Sequence, residues 1–229
     1  MVNNGKKGLS RRDFLKFSSM LAGAGLIAAR PMPTLAKKVF TLDDIPLDAT
    51  EIHHLEFIRE EEKLARDVYI KLYQKWDEKY PDKVKIFDYI ADSEQMHMDA
   101  MLFLLDTYGI EDPVGDNDIG VFTDDYIQGL YDDLTVWGNK SLDDAFLVGG
   151  FIEEYDILDI WKAVNETDEK RCDKVYTNLY KGSYNHLHGY VKNWEGLTKE
   201  TYVPQLMEEK DYLYCMDYET DARQQQGRK

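Results

Sequence analysis

The stretch ATEIHHLEFIREEEKLARDVYIKLYQKW, residues 49–76, has the periodicity of one long amphipathic helix. Asp48 precedes it and Glu51 follows three residues later, which is the spacing of a capping box. Pro81 lies beyond its last apolar position and ends it. Its inward positions are spaced three and four residues apart: Leu55, Ile58, Glu62, Ala65, Tyr69, Leu72 and Trp76. The sequence therefore predicts a long helix with a glutamate on its buried face.

Similar helical periods recur between turn signals along the rest of the chain, and no strand-like alternation of useful length is seen. A helix is predicted at about 84–108, closed by Gly109, and a short one at about 124–137, capped by Thr123. Two more long helices are predicted at about 141–164 and 168–194, the second capped by Thr167 and ended by Gly196. Because every predicted element is a helix, we expect an all-α fold. The links within each pair of long helices are short, and a long connection at about 110–140 joins the two pairs. We expect a four-helix bundle of two helical hairpins, joined by a long crossover containing a short helix.

The N-terminus, residues 1–36, has the features of a twin-arginine signal peptide. SRRDFLK, residues 10–16, fits the export pattern S-R-R-x-F-L-K at every fixed position. The apolar run at 17–29 is shorter than the roughly 20 residues that span a bilayer, and it precedes a small-residue site at TLA. These features predict export to the periplasm or extracellular space, with an uncleaved anchor as the alternative. The remaining divisions are a linker at 37–47, the bundle at 48–196 and an acidic tail at 197–229, which we expect to be extended or partly disordered beyond about 217.

The charge of the chain argues against two classes of partner. Residues 1–36 hold six of the 28 Lys and Arg but only one of the 44 Asp and Glu, so the rest has a formal net charge of about −21. Such a field repels nucleic acid and anionic lipid and attracts cations. We therefore expect no nucleic-acid partner and no stable membrane insertion after cleavage. The acidity is equally consistent with a simple contribution to solubility.

Polar residues interrupt the apolar stripes of all four long helices. In DSEQMHMDAM, residues 92–101, a glutamate and a histidine lie one turn apart on the buried face. A buried ionised carboxylate without a partner costs several kcal/mol, whereas a multivalent cation bound by carboxylates and imidazoles offsets that cost. The pattern predicts a metal site with these ligands: Glu62, Glu94, His97, Glu153, Asp156 and His186.

Several alternatives remain open from the residues alone. Glu60 or Glu61 could face inward in place of Glu62, and Glu154 lies on a second plausible stripe of its helix. The polar residues could also hydrogen-bond one another without a metal. Cys172 and Cys215 lack C-x-x-C spacing, and the sequence leaves open whether they are bridged or free.

At these residues the chain resembles the ferritin-like superfamily of di-iron carboxylate bundles. EKLARDVY resembles the E-x-x-A-x-x-x-Y of rubrerythrins and bacterioferritins, SEQMH resembles their first E-x-x-H, and EEYD resembles the E-x-Y-E of the rubrerythrin third helix. The segment at about 46–195 is similar to the domain of unknown function 2202 family. The motifs that carry this similarity are EEEKLARDVY, SEQMHMDA, GGFIEEYDILD and GSYNHLHGY.

The resemblance implies an iron site, expected to be di-iron, acting on ferrous iron, oxygen or peroxide, although carboxylate-rich sites also accept manganese or zinc. It gives Tyr69 a catalytic role, as a hydroxyl close enough to hydrogen-bond a bound ligand. The chain departs from the superfamily at Ser183, because the second E-x-x-H motif of the superfamily has a glutamate at the corresponding position. That departure leaves a second interpretation, a non-catalytic binding or metal-carrier bundle of the cell envelope with a degenerate site. The expected partners are metal ions and oxygen or peroxide, and a homodimer is compatible with the sequence.

Overall fold

The computed structural model describes residues 46–226, which fold entirely into helices and connecting loops without a strand. The prediction of an all-α fold is confirmed. The predicted signal peptide and most of the predicted linker lie outside the described residues. The six helices of the described part are α1 (Ala49–Trp76), α2 (Lys85–Tyr108), α3 (Asp125–Gly138), α4 (Leu142–Glu166), α5 (Lys170–Thr198) and α6 (Glu209–Gln226).

Side-chain caps fix where α1 and α4 begin. The Asp48 carboxylate accepts hydrogen bonds from the backbone N–H groups of Thr50 and Glu51, and the Glu51 carboxylate accepts one from the backbone N–H of Asp48. This is the predicted capping box. Ser141 caps α4 by accepting a hydrogen bond from the N–H of Asp144. Both starts follow directly from the local sequence.

The caps of α3 and α5 differ from the prediction by one or two residues. Asp124 caps α3, because the Thr123 hydroxyl instead donates to the carbonyl of Pro113. Glu169 caps α5 by accepting from the N–H of Arg171, while the Thr167 hydroxyl donates to a carboxylate on α1 and accepts from the N–H of Glu169. At both places the predicted threonine donates a tertiary hydrogen bond, and an acid one or two residues later caps the helix.

The ends of α2 and α5 show one prediction confirmed and one corrected. Gly109 closes α2 in the left-handed conformation with a φ of 69°, as expected of a glycine after a helix. Helix α5 does not end at Gly196 but continues to Thr198, and Lys199 adopts the left-handed conformation with a φ of 65°. A helical glycine is therefore tolerated two residues before the end.

The long helices pack in two sequential pairs, α1 with α2 and α4 with α5. Helix α1 also packs against α4, α2 packs against α5, and α3 lies against both α1 and α4. The apolar core between them includes Leu55, Met101, Ile160 and Leu179, one residue from each of the four long helices. No helix among the described residues is long and apolar enough to span a membrane.

A run of charged residues on α1 holds the connection between α2 and α3. The ammonium of Lys63, fully buried, lies 2.5 Å from the Asp67 carboxylate and donates to the carbonyl of Asp118. Asp67 also accepts from the N–H of Gly120. The Glu60 carboxylate accepts from the N–H groups of the two residues directly before α3. Glu60 is therefore inward-facing, but it stabilises the crossover segment.

The tail after α5 packs on the helical core, which corrects our expectation for it. Tyr202, Met207, Tyr212 and Cys215 are buried in one cluster with apolar residues of α4 and α5. We predicted an extended or partly disordered chain beyond about 217, whereas α6 continues to Gln226. The apolar residues of the tail anchor the start of this helix. The acidic composition of the tail, on which the prediction was based, does not reveal these buried apolar positions.

Both described cysteines are free and buried. Cys172 packs in the cluster at one end of α5, beside residues of α1 and α2, whereas Cys215 packs in the cluster formed by the tail. They are therefore not bridged.

Candidate metal centre

Glu94 lies between two imidazoles from different helices. One carboxylate oxygen, Oε2, is 2.9 Å from Nδ1 of His97 on the same helix, and the other, Oε1, is 2.9 Å from Nδ1 of His186 on α5. The two imidazole rings lie 5.4 Å apart, centre to centre, with 29° between their planes. Ligand atoms of these three residues all lie within 4.8 Å of one another, which is close enough to share one metal ion.

Helices α1 and α4 add a carboxylate on either side. Oε2 of Glu62 is 3.2 Å from Nδ1 of His97, and Oε2 of Glu153 is 3.4 Å from Nδ1 of His186. All of these side chains are buried. The four long helices thus bring five of the six predicted ligands into one cluster of contacts.

Asp156 is the sixth predicted ligand, and it lies at the edge of this cluster. Its Oδ2 accepts a hydrogen bond of 2.5 Å from the Ser183 hydroxyl, and its Oδ1 is buried without a partner. After burial, the nearby charges that raise its pKa are those of Glu62, Glu153 and Glu94. Ser183, the position where the E-x-x-H motif is broken, therefore supports a carboxylate on α4 in place of supplying one on α5.

Tyr69 donates its hydroxyl to Oε1 of Glu153 at 2.5 Å. Burial, followed by the charge of Glu153, keeps the pKa of Tyr69 well above its usual range, so the hydroxyl retains its proton. Its ring packs on Tyr190, with 5.1 Å between the ring centres. In this arrangement Tyr69 fixes the orientation of a carboxylate.

Protons compensate the charges of the cluster when no metal is bound. Burial works against the charged form of His186, but Glu94 and then Glu153 raise its pKa to about 10. Burial alone would raise the pKa of Glu94, but His186 and His97 hold it well below its usual value. Burial and then the charge of Glu94 raise the pKa of Glu153 to about 7. A bound cation can replace these protons, because metal ligands must be deprotonated.

Several buried atoms at the site have no hydrogen-bond partner, so their lone pairs are free to act as ligands of a cation. These include Oε1 of Glu62 and Oδ1 of Asp156. Nδ1 of His186 makes no well-aligned hydrogen bond although it is near Glu94, whereas Nε2 of the same ring is 2.9 Å from the Ser93 hydroxyl. A partner on the outer nitrogen that leaves the inner nitrogen facing the cluster is typical of a metal-binding histidine.

The structure also decides between the neighbouring acids left open by the sequence. Glu153 faces the histidines, whereas Glu154 accepts from the Tyr202 hydroxyl and from backbone N–H groups at 205–207. Glu62 contacts His97, and Glu61 is also fully buried, with neither oxygen hydrogen-bonded. Sequence reasoning missed Glu61 as an additional buried acid. The run of three glutamates at 60–62 was the one available signal.

Comparisons with known proteins give the family and one structural relative. The family described as "Uncharacterized protein domain (DUF2202)" matches residues 51–217, which extends the expected similarity into the tail. Uncharacterized protein MJ0754 of Methanocaldococcus jannaschii is 43% identical over 183 residues, covering 80% of this chain and 95% of that protein. The crystal structure of hypothetical protein MJ0754 from Methanococcus jannaschii superposes with a TM-score of 0.71 at 42% identity, covering 78% of this chain and 98% of that one.

Proposed function

This chain belongs to the DUF2202 family, and we propose that it is a ferritin-like metal-binding protein with a carboxylate–histidine centre. In this proposal α1 with α2 and α4 with α5 are the two hairpins of a four-helix bundle, and α3 lies in the crossover. One observation carries the proposal: each of the four long helices contributes a buried acid or imidazole to a single cluster, joined by the contacts of Glu94. Donors from facing helices that converge in this way are typical of metal sites in helical bundles.

The donor set fits a transition metal. Glu62, Glu94 and Glu153 would supply carboxylate oxygens, His97 and His186 would supply imidazole nitrogens, and Asp156 would offer its unpaired oxygen. Mixed oxygen and nitrogen donors suit iron, manganese and zinc, and the resemblance to di-iron proteins favours iron, as one ion or two. When bound, iron would supply the redox chemistry for ferrous iron, oxygen or peroxide.

The surrounding residues hold the donors in place and exclude water. Tyr69 donates to Glu153, Ser183 donates to Asp156, and the Ser93 hydroxyl is within hydrogen-bond distance of His186. Apolar side chains, among them Met101 and Phe87, are fully buried on the same helix as Glu94. Tyr69 retains its proton and is therefore a positioning residue, which holds the carboxylate of Glu153.

The proposal includes export by the twin-arginine pathway and a periplasmic or extracellular location. It rests on the SRRDFLK motif at 10–16 and the apolar run after it. This pathway carries folded proteins, which is compatible with a metal loaded before export.

A second candidate function is a metal carrier without catalysis. The Ser183–Asp156 hydrogen bond favours it, because α5 lacks the glutamate that the E-x-x-H motif would supply. The two candidate functions use the same metal centre, and they differ in whether the bound metal catalyses a reaction. Consumption of peroxide, or oxidation of added ferrous iron, by the metal-loaded protein separates them.

Metal analysis of protein purified without chelators tests the centre itself. We expect at least one equivalent of iron, manganese or zinc per chain. The double variant Glu94→Gln/His97→Gln should lose this metal, because two of its proposed ligands are replaced. The matched control is Asp92→Asn/His53→Gln, which makes the same kinds of change at two exposed positions. Wild-type protein without a stoichiometric transition metal, or a double variant that retains it, would refute the proposal.

A further inference from the structure

Helix α2 presents a line of large apolar side chains on its outer side. Tyr89, Met96 and Phe103 are 68%, 66% and 57% exposed, and they repeat every seven residues. Residues at this spacing lie on one side of a helix, so the three form a single stripe about 21 Å long, here called the α2 stripe. Single exposed apolar residues are ordinary on a protein surface, whereas an aligned set indicates a contact surface.

The two edges of the α2 stripe differ in character. Ser93 and Ala100, three residues before Met96 and Phe103, lie on the edge next to α5, where the Ser93 hydroxyl is 2.9 Å from Nε2 of His186. Both are small and half-buried. The opposite edge, three residues after each stripe position, carries exposed charges at the same seven-residue spacing. These charges form the α2 row, which consists of Lys85, Asp92, Asp99 and Asp106.

Helix α5 carries a second row at the same spacing, exposed or half-buried, here called the α5 row: Lys174, Lys181, His188 and Glu195. The two helices run antiparallel, since a Cβ added at Gly182 would meet His97 and one added at Gly189 would meet Ile86. These contacts fix which positions of the two helices lie at the same height. Asp106 is level with Lys174, Asp99 with Lys181, Asp92 with His188 and Lys85 with Glu195. At three of the four heights the two rows therefore have opposite charges, and the signs reverse together at the last one.

These opposite charges are not used within one chain. In the part of the chain that the structure describes, no ion pair joins a lysine of the α5 row to an aspartate of the α2 row. The chain as a whole is strongly acidic, so two copies repel one another unless basic groups of one meet acidic groups of the other. Matched rows on either side of an apolar stripe meet that requirement, because such flanking charges set partner choice and orientation between helices.

We propose that the α2 stripe and the two charged rows form a homodimer interface, with a second copy of this chain as the partner. In a dimer whose two-fold axis runs along the helices, each height is kept while the α2 and α5 sides exchange places. The two stripes then pack together, and the α2 row of each copy faces the α5 row of the other. With an axis across the helices, each row would instead face itself and bring like charges together. The charges therefore select the first arrangement, which does not depend on a metal in the proposed centre.

Sedimentation equilibrium of the full chain tests the interface. Wild-type protein at micromolar concentration should have twice the mass of one chain. Met96→Glu should weaken the dimer about tenfold or more, because it places a charge at the middle of the apolar stripe. The matched control is Val136→Glu on α3, which changes a 64% exposed apolar residue outside the interface and should dimerise as wild type does. A monomeric wild type, or a dimer that is equally tight in Met96→Glu, would overturn the proposal.

Charge reversal tests the pairing of the rows. Lys181→Glu and Asp99→Lys should each weaken the dimer about tenfold or more, since each brings like charges together at two places of a two-fold interface. An equimolar mixture of the two variants should recover the wild-type affinity, because a mixed dimer has only opposite charges at this height. Native mass spectrometry identifies that mixed dimer by its mass. Lys162→Glu, at an exposed position of α4, should dimerise as wild type does.

The mixture also separates pairing between chains from pairing within one chain. If Lys181 and Asp99 acted on one another only within a chain, the double variant Lys181→Glu/Asp99→Lys would recover the affinity and the mixture would not. Such a result would overturn the proposed arrangement. Single reversals that leave the dimer as tight as wild type would also overturn it, since the interface would then lie elsewhere.

Discussion

The backbone of Gly182 on α5 lies directly against the imidazole of His97 on α2. A Cβ atom added at Gly182 would come within 2.6 Å of Nε2 of His97. No real Cβ makes such a contact, so Gly182→Ala must displace the ring. We expect Gly182→Ala to weaken metal binding at the centre by about tenfold or more, in line with other changes that disturb ligand orientation. Calorimetric titration with Mn²⁺ measures the affinity.

The control for this change is Gly196→Ala on the same helix, where an added Cβ meets nothing within 4 Å. It should leave metal affinity unchanged and stabilise α5 by up to about 1 kcal/mol, since alanine is the better helix former. Equal affinities in Gly182→Ala and wild type would mean that His97 is not a ligand or moves without cost.

The metal-free protein should lose stability as the pH rises from about 5 to 9. Glu153 and His186 have pKa values raised to about 7 and about 10, so the folded state holds protons that the unfolded chain releases near pH 4.5 and 6.5. Their contributions are present at low pH and are lost as the pH rises through the raised values. We expect a fall of at least about 2 kcal/mol in the free energy of unfolding over this range.

Denaturant unfolding with and without metal measures this dependence. The stabilisation by metal should increase with pH, because binding releases the same protons. Below about pH 4.5 the free energy of unfolding should instead fall as the pH falls. The reason is that the pKa of Glu94 is lowered, so its contribution to stability is present above about pH 4.5 and lost below it. Metal-free protein that becomes more stable between pH 6 and 9 would contradict the expected charge state of the cluster.

Glu154→Ala should release the segment that joins α5 to α6. The carboxylate of Glu154 accepts from the Tyr202 hydroxyl and from the N–H groups of Gln205, Leu206 and Met207, and the variant would leave these donors unpaired. We expect a loss of about 3 kcal/mol or more in unfolding free energy and new proteolytic cleavage at 199–208. Glu200→Ala, at an exposed position of the same segment, should change neither. An unchanged cleavage pattern in Glu154→Ala would show that apolar packing alone holds the tail.

Lys63→Met should destabilise the connection between α2 and α3. The Lys63 ammonium pairs with the buried Asp67 and also donates to the carbonyl of Asp118, so its removal takes away one of the two cations that contact this carboxylate, the other being Arg66. We expect a loss of about 2 kcal/mol, less than the roughly 3–5 kcal/mol that follows when a buried charge loses every counter-charge, because Arg66 remains beside Asp67. Lys85→Met breaks an exposed pair with Asp82 and should cost less than about 1 kcal/mol. Chemical denaturation of both variants gives the comparison, and similar losses would contradict it.

Much of the fold could be predicted from local sequence, because helical periodicity and caps are properties of short stretches. The capping box at Asp48 and Glu51, the close of α2 at Gly109 and the inward positions of Glu94 and His97 all followed from spacing alone. The same spacing selected six acids and imidazoles, five of which meet directly in the structure.

Spacing alone could not predict features that depend on how many neighbours surround a helix. Residues 60–63 face different directions around α1, and all four are buried, since α2, α3 and α4 all pack on that helix. Glu62 meets His97, Glu60 accepts from backbone N–H groups just before α3, and the buried Glu61 has neither oxygen hydrogen-bonded. A periodic pattern assumes one solvent-facing side, and this part of α1 has none.

The sequence by itself thus determined helices α1 to α5, the buried faces that carry acids and imidazoles, and the family. Only the tertiary structure decided which of two adjacent acids meets the histidines, that Ser183 supports Asp156, and that the tail packs on Glu154. The physical reason is that helix formation depends on interactions within about one turn. The partner of a buried carboxylate, in contrast, comes from a residue distant in sequence that packing brings near.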